Sequence, residues 1–487
     1  GIVRGMRVLL LVTPGLDLLR CVFALFKIGA VPVLIDPGIG LKNFLACVRR
    51  SEPAALVGVA KAQWLAKIFC KALASAKIRI HVGGAAWDKA LAAHYDAKSF
   101  PLAETRADEL AAILFTSGST GAPKGVSYEH AFFEAQVRLI RDRYGIQPGE
   151  VDLPMLPIFA LFNPAMGMTT VVPEIHPSRP ASCDPARLVR AIQQNGVTNS
   201  FGSPALWAIV ARYCEATGQT LPSLRRVLAA GAPVHPSLLR RLQKILPNGT
   251  AHMPYGATEA LPVSSISLDE VLGETWAQTE QGHGSCIGTL FSGVEARILP
   301  LREGPITNLD EAPELPSGEI GEIAVLGPSV TRAYDKLPVA TARAKIPAGN
   351  TDDPAAVWHR MGDLGYRDAK GRLWFCGRVV ERVETSAGIF YTDCVEGVFN
   401  RHPRVARTAL IGLGTSPRQE SALVVEPAPD EFPKNQVERE KFIAELRKLA
   451  TPGTPELSQI FFRRTMPVDV RHNAKIHRLA LAREYSK

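Results

Sequence analysis

A run of glycine and hydroxyl residues followed by a lysine is the part of this sequence best suited to chemistry on phosphates. It reads TSGSTGAPKG and contains Thr116, Ser117, Gly118, Ser119, Thr120, Gly121 and Lys124. Glycines let main-chain N–H groups approach phosphate oxygens, and the hydroxyls and the lysine add further donors and a positive charge. The order differs from the GxxxxGK[ST] pattern of P-loop NTPases. The segment therefore predicts a phosphate-binding loop of another kind rather than an ordinary solvated Gly/Ser loop.

Three further segments contain residue types that suit a nucleotide. YGATE, residues 255–259, combines a ring that can stack on a purine with a carboxylate that suits a hard cation. MGDLGYRDAKGRLWFCGR contains an acid and a base, Asp363 and Arg378. Lys475 stands in VRHNAKIHR, and a mobile cation can neutralise charge that develops in a transition state. Each segment alone is also explained as an ordinary turn or surface residue, so the interpretation depends on their order along one chain.

In this order the four segments resemble the motifs of the adenylate-forming superfamily, which contains acyl-CoA synthetases, peptide-synthetase adenylation domains and luciferases. The resemblance covers almost the whole chain and implies an enzyme that uses ATP and Mg²⁺ to join a carboxylic acid to AMP. It implies that the catalytic residues are Lys475, Glu259, Thr258 and Lys124, with Glu259 as the Mg²⁺ ligand. It implies that ATP is bound by Thr116, Ser117, Gly118, Ser119, Thr120, Gly121, Gly231, Ala232, Pro233, Tyr255, Gly256, Asp363 and Arg378.

The segment after Arg378 departs from the superfamily pattern GRxxDxIKxxGxxVxPxEIE. Glu384 stands at the position of the usual lysine, and Ala387 at the position of the glycine that lines the thiol tunnel. A glutamate repels the phosphates of CoA, and a methyl group narrows a passage lined by backbone. These departures argue against thioester formation and leave the adenylation residues untouched.

Residues 37–40, 155–188 and 197–207 resemble the olefin β-lactone synthetases of bacterial long-chain olefin biosynthesis. That resemblance implies a long-chain 2-alkyl-3-hydroxy acid that is activated as its acyl-adenylate. The substrate's own β-hydroxyl then closes a β-lactone and expels AMP, after pyrophosphate has left in the first step. The resemblance also implies cytoplasmic partners, namely a β-lactone decarboxylase, a condensing enzyme and a reductase. A long-chain fatty acyl-CoA ligase, a fatty acyl-AMP ligase and an inactive nucleotide-binding scaffold are the alternatives.

Two apolar stretches and four histidines are candidates for the acyl side of the reaction. Ile158–Met168 and Phe201–Trp207 are predicted walls of an alkyl pocket, with ordinary core packing as the alternative for any single residue. The base for the β-hydroxyl is not identified by the sequence. The histidines considered for it are His130, His235, His252 and, as the first to mutate, His283.

The predicted strands and helices that position these residues indicate an α/β fold. Short β-rich runs alternate with helical patterns in the first third, which predicts a parallel sheet covered by helices. From about residue 286 the strands are joined by glycine turns, and after residue 380 a smaller unit begins. We expect a large adenylate-forming domain, residues 1–379, with mixed sheets flanked by helices and a small β-barrel-like part. Residues 380–487 are expected to form a small mobile α+β domain that carries Lys475.

Composition is consistent with this interpretation. The chain has 487 residues, a net charge of +9 and a pI near 9.1, which favours anionic small molecules. No zinc-knuckle spacing, RNA-binding aromatic signature or arginine-rich tract indicates nucleic acid. The eight cysteines are scattered, which fits a reducing cytoplasm, and no apolar stretch is long enough to predict a transmembrane helix. Because the sequence begins with Gly1 and enters an apolar strand at once, we expect a preceding segment.

Overall fold

The computed structural model describes residues 1–94, 102–116, 122–175, 182–231, 233–349, 351, 353–468 and 475–486. Among these residues, no helix combines the length and the apolar character needed to cross a bilayer.

The first part of the chain forms a six-stranded sheet with helices on both faces. Its strands are β1 Arg7–Leu11, β2 Val31–Leu34, β3 Ala55–Gly58, β4 Ile78–His81, β5 Leu110–Phe115 and β6 Gly125–Glu129. Its helices are α1 Leu16–Lys27, α2 Leu41–Ser51, α3 Ala60–Ile68, α4 Ala85–Ala93 and α5 His130–Tyr144. β1 to β5 pair in parallel, in the order β4-β3-β1-β2-β5, and β6 pairs antiparallel to β5. The carboxyl ends of the parallel strands therefore share one edge, and the glycine-rich segment starts from that edge at Thr116.

A twelve-stranded sheet follows, with parallel strands in one half and antiparallel strands in the other. Its strands are β7 Val151–Asp152, β8 Thr169–Thr170, β9 Asn199–Gly202, β10 Arg226–Ala229, β11 Thr250–Ala257, β12 Ala260–Ser267, β13 Ser285–Leu290, β14 Glu295–Leu299, β15 Gly321–Leu326, β16 Lys345–Pro347, β17 Val357–Arg367 and β18 Leu373–Arg378. Its helices are α6 Pro185–Gln194, α7 Pro204–Thr217, α8 Pro236–Ile245, α9 Leu268–Glu270, α10 Trp276–Thr279 and α11 Pro338–Ala344. β7 to β11 pair in parallel, whereas β11 to β18 pair antiparallel. A small barrel-like part was predicted for the antiparallel strands. The structure instead places them in the same sheet as the parallel strands β7 to β11.

The C-terminal part is a small α+β domain, as the sequence predicts. Its strands are β19 Val383–Thr385, β20 Gly388–Phe390, β21 Val405–Leu413, β22 Glu420–Pro427 and β23 Gln459–Phe462. Its helices are α12 Thr392–Asn400, α13 Gln436–Arg447 and α14 Arg478–Tyr485. β21, β22 and β23 form a three-stranded sheet. Phe442 of α13 is buried against one face of this sheet, and Leu481 of α14 is buried against the other. A short 3₁₀ segment, Val379–Glu381, connects this domain to β18 and is called the connector below.

A buried ion pair braces the parallel half of the second sheet. Arg226, on β10, donates from Nη1 and Nη2 to both carboxylate oxygens of Glu150 at 2.7 and 2.6 Å, and from Nε to the carbonyl of Tyr144. Both charged side chains are almost fully buried. Burial lowers the pKa of Arg226, although the neighbouring Glu150 opposes the shift. Removing one partner would leave the other charge without compensation in the interior.

We expect Glu150→Ala to lower the free energy of unfolding by about 3–5 kcal/mol, because a buried guanidinium loses its carboxylate. Urea unfolding followed by circular dichroism measures the effect. The control is Asp108→Ala, which removes an exposed partner of Arg106 and should leave the free energy of unfolding close to that of the parent. Equal effects of the two substitutions would contradict this assignment of the Glu150 pair.

Candidate active site

The YGATE segment forms the end of β11 and a tight turn into β12. The pairing of these strands shifts register between Tyr255 and Ala257, and Thr258 and Glu259 occupy the turn. A Cβ atom on Gly256 would lie 2.7 Å from the carbonyl oxygen of Ala260, so only glycine fits there. The backbone of the turn is thereby brought close to β12, and its side chains face a cavity.

Three side chains from distant segments hold this turn in place. Tyr128, on β6, donates to the carbonyl of Thr258 at 2.5 Å. Thr331 donates from its backbone N and its Oγ1 to the carbonyl of Glu259, at 2.9 and 3.0 Å. Tyr334 donates from its hydroxyl to Oε1 of Glu259 at 2.8 Å. The carboxylate predicted to hold Mg²⁺ is therefore fixed in position by both its backbone and its side chain.

Lys124 reaches the same tyrosine from the glycine-rich segment. Its Nζ lies 4.7 Å from the centre of the Tyr334 ring, a distance typical of a cation–π contact. The carbonyl of Lys124 accepts a hydrogen bond from Thr116 N at 3.0 Å, so the two ends of the segment are paired. Tyr334 thus joins the predicted phosphate-binding lysine to the predicted metal ligand. The predicted phosphate contacts Ser117, Gly118, Ser119, Thr120 and Gly121 lie outside the described residues.

A carboxylate on β17 is shared between the aromatic residue of YGATE and an arginine on β18. Asp363 and Arg378 face each other in the antiparallel register, and Nη1 of Arg378 lies 2.5 Å from Oδ1 of Asp363. Tyr255 donates to Oδ2 of the same carboxylate at 2.5 Å. Burial, and then the charge of Asp363, raises the pKa of Tyr255 well above its usual value, which keeps the phenol protonated. Asp363, one of the residues predicted to bind ATP, is thus held by two others, Tyr255 and Arg378.

These residues line one cavity, called the central cavity below, with a volume of about 3510 Å³. Its polar lining includes Thr116, Lys124, Thr258, Glu259, Asp363, Arg378 and Lys475, and the predicted ATP-binding residues Gly231, Pro233, Tyr255 and Gly256 also line it. Ala232 lies outside the described residues. The structure therefore collects every described member of the predicted site at one cavity, although the members span residues 116–475.

The rest of the cavity lining is largely apolar and comes from two sides. One wall contains Ile158, Phe159, Leu161, Phe162, Ala165, Phe201 and Ala205. The other contains Leu10, Leu11, Val12, Leu18, Val22, Phe26, Leu34, Phe133 and Val137. The first wall agrees with the predicted alkyl pocket, although Ala160, Met166 and Trp207 from the same stretches are core residues instead. The second wall, on β1, β2, α1 and α5, was not predicted.

Only one of the four histidines considered for the base lines the central cavity. His235 does so at the start of α8, and its Nδ1 accepts a hydrogen bond from Ser237 N at 3.2 Å. Burial lowers the pKa of His235, so the imidazole is neutral at neutral pH. His283, the first to mutate on sequence grounds, is exposed and lies beside Trp374, 6.4 Å between ring centres. His130 and His252 are also absent from the lining, whereas His359 and His477 belong to it.

Glu384 and Ala387, the departures from the thioester-forming pattern, lie in the β19–β20 hairpin. Glu384 accepts hydrogen bonds from Arg382 Nε at 2.7 Å and from the hydroxyl of Ser416, and these contacts lower its pKa. Ala387 is exposed in the turn of the hairpin. Residues 383–391 do not contribute to the lining of the central cavity. The hairpin itself therefore contributes no residue to the cavity lining, although Arg382 and Thr392, on either side of it, do.

A buried lysine, which the sequence analysis did not identify, contacts the residue that holds the Glu259 turn. Lys345, on β16, is 5% exposed, and its Nζ donates to the carbonyl of Thr331, the residue that holds Glu259. Burial lowers the pKa of Lys345 to about 7, against the opposing charge of Glu259. Its positive charge also helps to hold the pKa of the buried His359 well below the usual value, after burial itself. An isolated lysine in an apolar β-run carries no recognisable sequence signal.

Residues 1–335 match the family described as AMP-binding enzyme. The chain belongs to that family, whose name agrees with the polar lining of the central cavity.

Two relatives are similar along almost the whole chain. The olefin β-lactone synthetase of Xanthomonas campestris pv. campestris is 44% identical, over 99% of this chain and 86% of that relative. The olefin β-lactone synthetase of Stenotrophomonas maltophilia is also 44% identical, over 99% of this chain and 87% of that relative. Among solved structures, the amide bond synthetase McbA from Marinactinospora thermotolerans matches with a TM-score of 0.77 and 22% identity, over 100% of this chain and 91% of that one. The last likeness shows the fold.

The lowered pKa of Lys345 predicts a pH dependence of stability. Between about pH 7 and 10.5 the native state binds fewer protons than the unfolded state, so stability rises with pH. We expect a gain of roughly 1–2 kcal/mol between about pH 7.5 and 9 in the parent, and a flatter profile in Lys345→Met. Urea unfolding at the two pH values measures it, with the exposed Lys441→Met as control. Parallel profiles for the parent and Lys345→Met would refute the prediction.

Proposed function

We propose that the enzyme activates a long-chain 2-alkyl-3-hydroxy acid with ATP and closes it to a β-lactone, with AMP and pyrophosphate as the other products. The single observation that carries the proposal is the central cavity, in which a charged, nucleotide-sized end continues into two apolar walls. The 44% identity to two olefin β-lactone synthetases over 99% of the chain supports the same reaction.

In the first step, a carboxylate oxygen of the substrate attacks the α-phosphorus of ATP, and pyrophosphate leaves. Lys475 and Lys124 line the cavity and would neutralise the charge that develops on the phosphates. Asp363 would accept hydrogen bonds from the ribose hydroxyls, in the position set by Arg378 and Tyr255.

Glu259 is the residue that would hold Mg²⁺. Tyr334 occupies one carboxylate oxygen, and among the described residues no hydrogen bond reaches the other, so one hard oxygen is available. When bound, Mg²⁺ supplies charge neutralisation for the phosphates. The proposal that Glu259 binds the ion agrees with the donor type that Mg²⁺ prefers.

In the second step, the substrate's β-hydroxyl oxygen attacks the acyl carbon. The bond from the acyl carbon to the phosphate oxygen breaks, AMP leaves with the bonding electrons, and the hydroxyl proton passes to a base. Because the nucleophile belongs to the substrate, its proximity to the carbonyl replaces a second binding site. His235 lines the cavity, but its unprotonated nitrogen Nδ1 already accepts a hydrogen bond from Ser237 N, so it is not assigned as this base.

Three further proposals concern the domain division of the chain, its location in the cell and its partner enzymes. We propose the division of the chain into residues 1–379 and 380–487, a cytoplasmic location, and association with a β-lactone decarboxylase, a condensing enzyme and a reductase. Co-purification of these enzymes with the full chain tests the association.

Product analysis without CoA tests the function. The enzyme, ATP, Mg²⁺ and a long-chain 2-alkyl-3-hydroxy acid should yield a β-lactone, identified by its strained carbonyl band and by mass. Lys475→Ala should abolish pyrophosphate release, whereas Lys441→Ala, on the exposed face of α13, should retain it. A product that forms only with CoA would identify an acyl-CoA ligase. An adenylate handed only to a carrier protein would identify a fatty acyl-AMP ligase, and a parent that releases no pyrophosphate would identify an inactive scaffold.

The two apolar walls of the central cavity predict that activity depends on the chain length of the substrate. Ala205, on α7, faces the central cavity, so Ala205→Phe should narrow it. We expect kcat/KM to fall roughly tenfold for long-chain substrates and to change little for short-chain substrates, because only long chains extend into the part of the cavity that the new phenylalanine side chain occupies. Ala216→Phe, an exposed position on the same helix, is the matched control. A uniform loss across chain lengths would contradict the assignment of the wall.

A further inference from the structure

A short segment before α11, residues 330–335, contacts both sheets and is called the bridging segment below. Val330 pairs with the first residue of β12, and Tyr334 pairs with the second residue of β6. β12 begins directly after Glu259, and β6 begins directly after Lys124. The bridging segment therefore joins the strand that follows the predicted metal ligand to the strand that follows the predicted phosphate-binding lysine.

Contacts outside the cavity lining fix the bridging segment at Tyr334. Asp335 donates from its backbone N to the carbonyl of Gly125 at 2.7 Å. The buried carboxylate of Asp335 accepts hydrogen bonds from Nη1 and Nη2 of Arg7 at 3.1 and 2.8 Å. Tyr334 donates from its backbone N to Oγ1 of Thr341, on α11, at 3.0 Å. The backbone around Tyr334 is thus held by β1, β6 and α11, independently of the charged groups that its side chain contacts.

The side chain of Tyr334 contacts two charged groups at once. Tyr334 is buried, and it packs in a hydrophobic cluster with Tyr128 and Phe132. Its hydroxyl donates to Oε1 of Glu259 at 2.8 Å, while Nζ of Lys124 lies 4.7 Å from the centre of its ring. Because lysine carries its charge on a flexible stem, a rigid ring beside it restricts where that charge can lie.

Lys124 and Glu259 carry opposite charges, and each contacts Tyr334 instead of the other. Among the residues that the structure describes, no ion pair joins Lys124 to Glu259. Opposite charges at a site shielded from water attract each other strongly, so a direct pair would engage both groups with each other. Lys124 would then be less available to the phosphates of ATP, and Glu259 less available to a metal ion. Tyr334 contacts each group without neutralising its charge, because its own side chain is uncharged.

We propose that Tyr334 is a positioning residue, whose hydroxyl orients the Glu259 carboxylate for Mg²⁺ and whose ring holds Lys124 toward the phosphates of ATP and away from that carboxylate. The proposal rests on the part of the proposed function in which ATP binds here with Glu259 as the Mg²⁺ ligand, and it holds whichever product follows. Residues that orient a metal ligand are typically worth about 10–100-fold in metal affinity or activity, which sets the size of the expected effect.

Binding of ATP without an acid substrate tests the role of the hydroxyl, because the first step then cannot consume ATP. Isothermal titration calorimetry gives the Kd for ATP in EDTA and in excess Mg²⁺, and the ratio of the first value to the second is called the Mg²⁺ gain. Tyr334→Phe keeps the ring beside Lys124 and removes the hydrogen bond to Glu259. We expect the Mg²⁺ gain to fall about tenfold and the Kd in EDTA to change little.

A second variant tests the role of the ring. Tyr334→Leu removes the hydroxyl and also the aromatic face beside Lys124, so the lysine can turn toward Glu259. We expect its Kd for ATP in EDTA to be roughly threefold higher than that of Tyr334→Phe, because the cation–π contact that holds the lysine is lost. Equal Kd values for the two variants in EDTA would overturn the role of the ring.

Tyr366→Phe is the matched control and should keep the parental Kd values, because it removes a hydroxyl that donates to the carbonyl of His283, outside the cavity lining. An unchanged Mg²⁺ gain in Tyr334→Phe would overturn the role of the hydroxyl. Equal weakening of ATP binding in EDTA and in Mg²⁺ would show a general structural effect and would overturn it as well. A parent without a Mg²⁺ gain would overturn both this role and Glu259 as the metal ligand. The product formed from a hydroxy acid, lactone or thioester, is measured separately and bears only on the proposed function.

Discussion

The carboxylate of Asp363 connects the parts of this molecule that must act together. It binds the phenol of Tyr255 on one oxygen and the guanidinium of Arg378 on the other, so strands β11, β17 and β18 meet at one charge. Because the site is largely buried, the interaction is stronger than it would be in water. The antiparallel register of β17 and β18 makes this possible, since it places Asp363 directly opposite Arg378.

A second requirement is that charged and apolar surfaces share one cavity. The phosphate-binding segment leaves the edge where the parallel strands of the first sheet end, and the YGATE turn belongs to the second sheet. The space between the sheets therefore has a polar end formed by loops and turns, and apolar walls formed by helices. Alkyl chains gain free energy by leaving water there, while the reacting carboxylate stays beside the cations.

The small domain places Lys475 at the central cavity and packs against the large domain through α12. The buried ion pairs of Arg478 with Glu381 and Glu396 lie within residues 380–487, whereas the close contacts of Gly397 with Thr279 and of Gly377 with Thr392 join the two domains. The Glu384 carboxylate is likewise occupied within the small domain by Arg382 and Ser416.

The sequence by itself determined the fold class and the order of the motifs, and it predicts the residues of the nucleotide site, because each of these depends on local residue types at short spacing. The strand–helix alternation, the Gly/Ser/Thr segment and the YGATE turn are of this kind. Only the tertiary structure decided that Tyr334 links Lys124 to Glu259, that α1 and α5 form a second apolar wall, and that His235 rather than His283 faces the cavity. It also decided that Arg478 binds the connector. These contacts join residues far apart in the chain, and their formation depends on strand register and helix packing, which no short segment specifies.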